Sequence, residues 1–283
     1  MFIPLHSNSL EKVFQGKIAL VTGGSTGIGL ATAQALAKSG AHVWIVARRK
    51  EFLETALNSI QATRKNTDQR FGYTSADVSI AEQASIAVAQ VCETLGIPDL
   101  VINSAGITHP GYVEKLDLEI FRQMIEVNYL GTVYVTKTIL PGMMERHSGH
   151  IVNISSVAGF LGVFGYSAYC GSKYAVRGFS DVLRAEMKPH GVRVSIVFPP
   201  DTDTPQLAYE NPIKPLETKV ISGKGKILSP EAVAKDIIKG ILHKQYLILP
   251  GLESKLSYYL SCIVYPYMDI LIANTRKKNS YQI

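Results

Sequence analysis

The chain has 283 residues, 46% hydrophobic and 18% charged, with a formal net charge of +6. That size and balance suit one large α/β domain with a substantial core and exclude a disordered or fibrous chain. No lysine or arginine block precedes the C-terminus, so the excess charge argues for a phosphorylated cofactor or an anionic membrane surface, and against nucleic acid as a partner. Cys92, Cys170, Cys262 and the seven histidines show no metal-ligand spacing, so no metal is expected, and so sparse a cysteine set suggests a reducing compartment. His147 and His150 straddle Gly149 and read as turn residues. Residues 1–14 lack a charged start followed by a long apolar core, so no signal peptide is expected and the chain reads as cytoplasmic.

In chain order, Lys17–Val21 reads as a strand running into Thr22-Gly23-Gly24-Ser25-Thr26-Gly27-Ile28-Gly29, and a helix follows with apolar residues at Ile28, Ala31, Ala35 and Leu36. Strand, glycine turn and helix start make a phosphate cradle from Gly23, Ser25, Thr26, Gly27, Ile28 and Gly29, in which free N–H groups face a pyrophosphate. The plainer alternative is a tight strand-to-helix connection. The second strand, His42–Ala47, ends in Arg48-Arg49, where an NAD-binding sheet carries an acid for the ribose. A guanidinium suits a 2′-phosphate, so NADP(H) is favoured; otherwise the two arginines are surface charges. Glu51–Lys65 reads as a helix and Phe71–Ala76 as a strand ending at Asp77-Val78. Asp77 either accepts from an adenine amino group or caps the helix Ile80–Leu95, which stops at Gly96-Ile97-Pro98. The strand Asp99–Ile102 meets Asn103-Ser104-Ala105-Gly106, small residues that let a cofactor lie across the sheet edge. Asp117–Arg146 has a helical pattern with Asn128 inside it, a poor helix-interior residue. Asn128 is either a tolerated surface position or, near Lys173, the holder of a water that links the lysine to solvent.

The stretch Ser155–Lys173 carries the chemistry. The strand Ile151–Ile154 leads into it, and a helix from Ser167 to about Lys188 carries Tyr169 and Lys173 four apart, on one face. A tyrosine titrates near pH 10, and bringing it to about 7 takes roughly 4 kcal/mol of differential stabilisation. A lysine ammonium in a poorly solvated site, with an oxidised nicotinamide, can supply much of that. The plain alternative is a half-buried helix tyrosine beside a solvated lysine. Beyond the strand Val192–Phe198, the proline-rich run from Pro199 reads as a loop-and-short-helix flap over 199–228, with acids at Asp201, Asp203, Glu210 and Glu217. Pro230–His243 is a last helix of the domain and Tyr246–Pro250 a last strand. The alternation predicts a Rossmann-like α/β fold, a doubly wound parallel sheet of about seven strands over 15–250. The glycine loop, Asn103, Ser156 and the flap all follow strands at the ligand-binding edge of that sheet. Residues 251–283 form an apolar tail. Leu256–Ala273 contains Pro266 and Asp269, so it suits an interfacial segment better than a span, with Arg276-Lys277-Lys278 near anionic headgroups. The alternative is packing on its own domain or on a second subunit.

Jointly, Thr-Gly-x-x-x-Gly-x-Gly at Thr22–Gly29, Asn-x-Ala-Gly at Asn103–Gly106, Asn128, Ser156 and Tyr169-x-x-x-Lys173 resemble the short-chain dehydrogenase/reductase family over about residues 15–250. The resemblance implies that Tyr169 is the acid/base and that Ser156 binds the substrate carbonyl oxygen. It implies that Lys173 lowers the tyrosine pKa and holds the nicotinamide ribose, and that Asn128 anchors a relay water. Asp77, Val78, Asn103, Ala105, Gly106, Pro199, Thr202 and Thr204 are its implied cofactor contacts, with Tyr169 and Lys173, and a homodimer or homotetramer its implied assembly. One departure is Pro199-Pro200 where many members read Pro-Gly, which removes an N–H from that loop. The flap resembles members that use NADPH to reduce long-chain 2-amino-3-ketone lipids. A flap acid is then a candidate partner for the substrate ammonium; the alternative is that these acids cap turns and short helices. Competing readings are a reductase of steroid, retinoid or acyl ketones, and a non-catalytic NADP-binding regulator, which would have no need of Tyr169, Lys173, Ser156 and Asn128 together.

Overall fold

A computed structural model describes residues 13–223 and 225–280, without the side chains of residues 262 and 276–280. The expectations for the N-terminal segment before residue 13 and for the Arg276–Lys278 side chains lie outside the described residues.

Seven strands form one sheet in the order β3-β2-β1-β4-β5-β6-β7, every pair parallel. They are β1 (Ile18–Thr22), β2 (His42–Ala47), β3 (Phe71–Ser75), β4 (Leu100–Asn103), β5 (Gly149–Ile154), β6 (Val192–Val197) and β7 (Leu247–Ile248). Central strands are buried along almost their whole length because helices cover both faces, as parallel crossovers require. On one face, α1 (Gly27–Lys38), α2 (Lys50–Ala62) and α9 (Pro230–Leu242) bury Leu36, Leu53 and Ile237 against Val21, Ile45 and Val152. On the other, α3 (Ala81–Leu95), α5 (Gly131–Glu145) and α6 (Ser167–Met187) bury Val91, Ile139 and Leu183 against Leu20, Val101 and Ile151. The strand order reverses between β1 and β4, which opens a crevice beyond their carboxyl ends.

Two expectations change. The single helix predicted over Asp117–Arg146 is α4 (Leu118–Met124), a π-helical segment (Ile125–Leu130) and α5. The wider turn carries Asn128, which is buried rather than on the surface. His150 is not a turn residue: it lies within β5, buried, its Nε2 2.8 Å from Ser195 Oγ of β6. The flap folds into α7 (Pro205–Ile213) and α8 (Leu216–Ser222). α7 has Pro205 in its first turn, and its N-cap Thr204 accepts from the Leu207 N–H at 3.3 Å.

The tail forms α10 (Gly251–Tyr259) and α11 (Ser261–Ser280), with Pro266 inside α11. α11 packs on its own domain. Met268 is buried against Phe160, Phe198 and Leu249, and Tyr265 accepts from the Gly162 N–H at 2.9 Å. Among the described residues no single helix is long and apolar enough to cross a membrane, and 251–259 with 263–275 passes that test only as a pair bent by 104°. The outer face stays apolar, with Leu252, Tyr259, Ile263 and Ile270 exposed.

Candidate active site

A cavity of about 1250 Å³ opens at the carboxyl edge of the sheet. It exceeds the usual size of a single small-ligand pocket, so it has room for a cofactor and a second molecule. Its walls come from the glycine turn, the ends of β2 to β5, the flap, and the tail helices.

The glycine turn is shaped by close approach. Gly23 has φ +65°, and a Cβ there would stand 2.7 Å from Ala105 N and Ser104 O. A Cβ at Gly29 would stand 2.3 Å from Gly23 O. Thr22 Oγ1 accepts from the Ser104 and Ala105 N–H groups, both at 3.2 Å, and so binds this turn to the end of β4. Gly23, Ser25, Thr26, Gly27, Ile28 and Gly29 all line the cavity, with α1 opening behind them and Arg48 and Arg49 at its rim. A backbone that side chains could not enter, at a helix start with two arginines near, fits a phosphorylated dinucleotide. Arg48 Nη1 stands 3.7 Å from Asp77 Oδ2, and the Arg49 guanidinium lies 3.9 Å above the Phe52 ring. Asp77 Oδ1 accepts from the Ser79 N–H at 3.0 Å and its hydroxyl at 2.7 Å, the turn-capping alternative. Asp77 still lines the cavity, as do Val78, Ala105, Gly106, Pro199, Thr202 and Thr204.

Asn103 departs from expectation. It lies outside the cavity lining and is 2% exposed. Its Nδ2 donates to Thr136 Oγ1 at 3.1 Å and to Asn153 Oδ1 at 2.9 Å, so its amide cross-links β4, α5 and β5 beneath the site. Asn128 is also behind the wall. Both its amide hydrogens and its oxygen are engaged, with Ile107 and Ser172, so the side chain ties the loop at Ile107 to α6.

Ser156, Tyr169 and Lys173 do converge. Ser156 caps the short turn Val157–Gly159, accepting from the Ala158 N–H at 3.1 Å, and its side chain hydrogen-bonds to the Tyr169 hydroxyl. Lys173 is buried. Its Nζ donates to Ile154 O at 3.0 Å and stands 5.7 Å from the Tyr169 ring centre. Ser155 Oγ donates to Lys173 O at 3.0 Å, fixing α6 on β5. In this site burial outweighs any pull that Lys173 exerts on the phenol. Burial raises the Tyr169 pKa, the Glu210 carboxylate raises it further, and hydrogen bonds from Ser156 and Gln206 pull only partly the other way. Burial also lowers Lys173, to about 8. The phenol therefore stays protonated, the form a proton donor needs.

Several cavity residues escaped the sequence reading. Tyr166 donates to the buried Glu210 carboxylate, and Gln206 Nε2 donates to Glu210 Oε1 at 3.3 Å. Leu161, Leu256, Leu260, Val264, Met268 and Leu271 give the far end an apolar wall. Glu210 was already among the flap acids, whereas nothing local signals Tyr166 and Gln206 as its partners or that the tail folds back on the site.

The chain belongs to the short-chain dehydrogenase family: residues 17–214 match the family model described as short chain dehydrogenase. It is an oxidoreductase of the Rossmann-like type its fold indicated. Among its relatives, 3-dehydrosphinganine reductase of Danio rerio is 39% identical over 95% of this chain and 81% of that protein. 3-ketodihydrosphingosine reductase of Mus musculus is 40% identical over 90% and 77%, and that of Dictyostelium discoideum 38% over 92% and 83%. Among solved structures, levodione reductase has a TM-score of 0.77 at 27% identity, covering 86% of this chain and 99% of that one. A variant of actinorhodin polyketide ketoreductase with NADPH has a TM-score of 0.73 at 30% identity, covering 82% and 94%.

Proposed function

We propose that the chain reduces the 3-keto group of 3-ketodihydrosphingosine to the alcohol with NADPH, a step in sphingolipid base synthesis. The observation that carries this reading is a protonated phenol, hydrogen-bonded to Ser156, at the junction of a phosphate-type cradle and an apolar chamber. Relatives named for this reaction at 38–40% identity support it.

NADPH, when bound, supplies the hydride. Gly23–Gly29 hold its pyrophosphate with backbone N–H groups, and Arg48 and Arg49 attract the 2′-phosphate. Ser156 and Tyr169 hold the ketone oxygen, and Tyr169 passes its proton to that oxygen as negative charge develops there. Lys173, anchored on Ile154 O, keeps a positive charge under the ring that steadies the phenolate left behind. Asn128 acts by fixing the loop at Ile107 and the α6 backbone at Ser172. The apolar wall takes the hydrocarbon chain, each methylene contributing about 0.8 kcal/mol on burial.

The same reading has the chain sit peripherally on the cytoplasmic side of a membrane. Leu252, Leu256 and Leu260 are exposed and also line the cavity, so its mouth is continuous with the apolar face of the tail. The deciding experiment incubates the purified chain with NADPH and 3-ketodihydrosphingosine beside steroid, retinoid and acyl ketones, with products identified by mass spectrometry. Dihydrosphingosine as the main product supports the assignment; preferential turnover of any other class replaces it.

A further inference from the structure

Of the four flap acids, Asp201 and Glu210 line the cavity and Asp203 and Glu217 do not. Asp203 is exposed, and Glu217 Oε2 accepts from the Tyr112 hydroxyl at 2.9 Å. Glu210 lies one turn after Gln206 on α7, so both side chains share a face. The Gln206 amide reaches Glu210 Oε1 at 3.3 Å and hydrogen-bonds to the Tyr169 hydroxyl. One side-chain amide thus separates a buried carboxylate from the proton-donating phenol.

The charges around Glu210 do not balance. Lys214 Nζ stands 3.8 Å from Glu210 Oε2 and 3.8 Å from Asp201 Oδ2, with its side chain 2% exposed. Two carboxylates therefore share one ammonium, Glu210 buried with it and the Asp201 side chain 42% exposed, so the buried Glu210 depends on a shared partner. Burial pushes the Glu210 carboxyl upward, against the hydrogen bond from Tyr166 and the charge of Lys214. A carboxylate offers about four acceptor positions. Oε2 is engaged by Tyr166 and Lys214, whereas Oε1 takes one long contact from Gln206 and can accept another donor.

The geometry points to Glu210 as the residue that recognises the ammonium of a 2-amino-3-ketone, with Tyr166 and Lys214 fixing its orientation. The inference rests on the proposed function, in which the carbonyl oxygen sits on Tyr169 and Ser156. The ammonium of such a substrate is two bonds from the carbonyl carbon, a reach that matches a carboxylate one amide away from the phenol. The surplus negative charge then becomes a selector: an ammonium neutralises it and a plain ketone leaves it unbalanced.

The test measures kcat/KM for 3-ketodihydrosphingosine and for the same long-chain ketone without its amine, in wild type, Glu210→Gln and Asp201→Asn. Wild type prefers the amine. Glu210→Gln lowers that preference about ten- to a hundredfold, chiefly through KM for the amino-ketone. Taking the ratio within one preparation cancels losses of folded protein or cofactor affinity, which a merely structural role would produce. Asp201→Asn lowers the preference by a smaller step, and decides alone where Glu210→Gln does not fold. An unchanged ratio overturns the proposal and leaves Glu210 as an anchor of the flap. Equal turnover of both ketones by wild type also overturns it while the proposed function stands; turnover of neither, with other ketones reduced, overturns the function itself.

Discussion

Asn128 grips Ile107 on both its backbone groups: the Ile107 N–H donates to Oδ1 at 2.7 Å, and Nδ2 donates to the Ile107 carbonyl at 3.0 Å. The amide does what a neighbouring strand would do, for a loop that has no strand beside it. Its second hydrogen goes to Ser172 Oγ at 2.9 Å, one residue before Lys173. Asn128→Ala leaves two part-buried backbone groups without their partner, so unfolding in urea should show a loss of about 2 kcal/mol. A loss well under 1 kcal/mol would mean that the loop repairs itself by other contacts.

Tyr169→Phe removes the proton donor and leaves the cradle intact. Fluorescence titration should show that NADPH binding is retained, while kcat for ketone reduction drops about a hundred- to ten-thousandfold. Near-normal turnover would move the proton source to another group.

Arg48 stands at the cavity rim, 3.7 Å from Asp77. Arg48→Glu places an acid where the 2′-phosphate is expected. The kcat/KM ratio of NADPH to NADH should fall about tenfold or more, since a charge-assisted hydrogen bond becomes a repulsion. A ratio that does not move would assign phosphate selection to Arg49 or to the backbone.

His150 makes stability depend on pH. Burial lowers its pKa to about 4, and the nearby Arg193 adds to this. Ser195 Oγ gives its hydrogen to Gln245 O at 2.6 Å, so it accepts from His150 Nε2–H, and the imidazole is neutral. The unfolded chain binds the proton near pH 6.5 and the folded chain does not. Stability from this group is therefore complete above about pH 6.5 and is lost as pH falls toward 4, by about 3 kcal/mol in all. Urea unfolding at a series of pH values should show that slope, and His150→Asn should flatten it.

Ile263 and Ile270 project from the outer face of α11, 63% and 59% exposed. The double variant Ile263→Glu/Ile270→Glu should leave the melting temperature close to wild type, because little packing is lost. Sedimentation with vesicles containing anionic lipid should show membrane binding falling sharply. Undiminished sedimentation would assign the apolar face to protein contacts.

The sequence showed the site best where chemistry and structure share one local period. Tyr169 and Lys173 are four apart on a helix, and the glycines of Gly23–Gly29 answer to backbone clearances within one turn, so short-range spacing was enough. Asn103 and Asn128 were legible as site candidates, but their hydrogen bonds to Asn153 and Ile107 were not, because those partners are set by tertiary packing. The balance of influences on Tyr169 was not legible for a related reason. Spacing shows that a cation is near, whereas burial and the Glu210 carboxylate, 41 positions further along the chain, decide the balance. The return of α11 onto Phe160 and Phe198 had no local signature, since an apolar helix reads alike whether lipid or protein covers it.

The apolar wall built by Leu161, Val264, Met268 and Leu271 shares the cavity with Ser156 and Tyr169 but is made of other residues. Apolar contacts that hold substrate and transition state equally govern how readily an enzyme fills and leave the barrier from the bound complex alone. In the proposed function, proton transfer and the grip on the hydrocarbon chain therefore fall to different residues, and changes in the tail helices would alter binding while the surroundings of Tyr169 stay as they are.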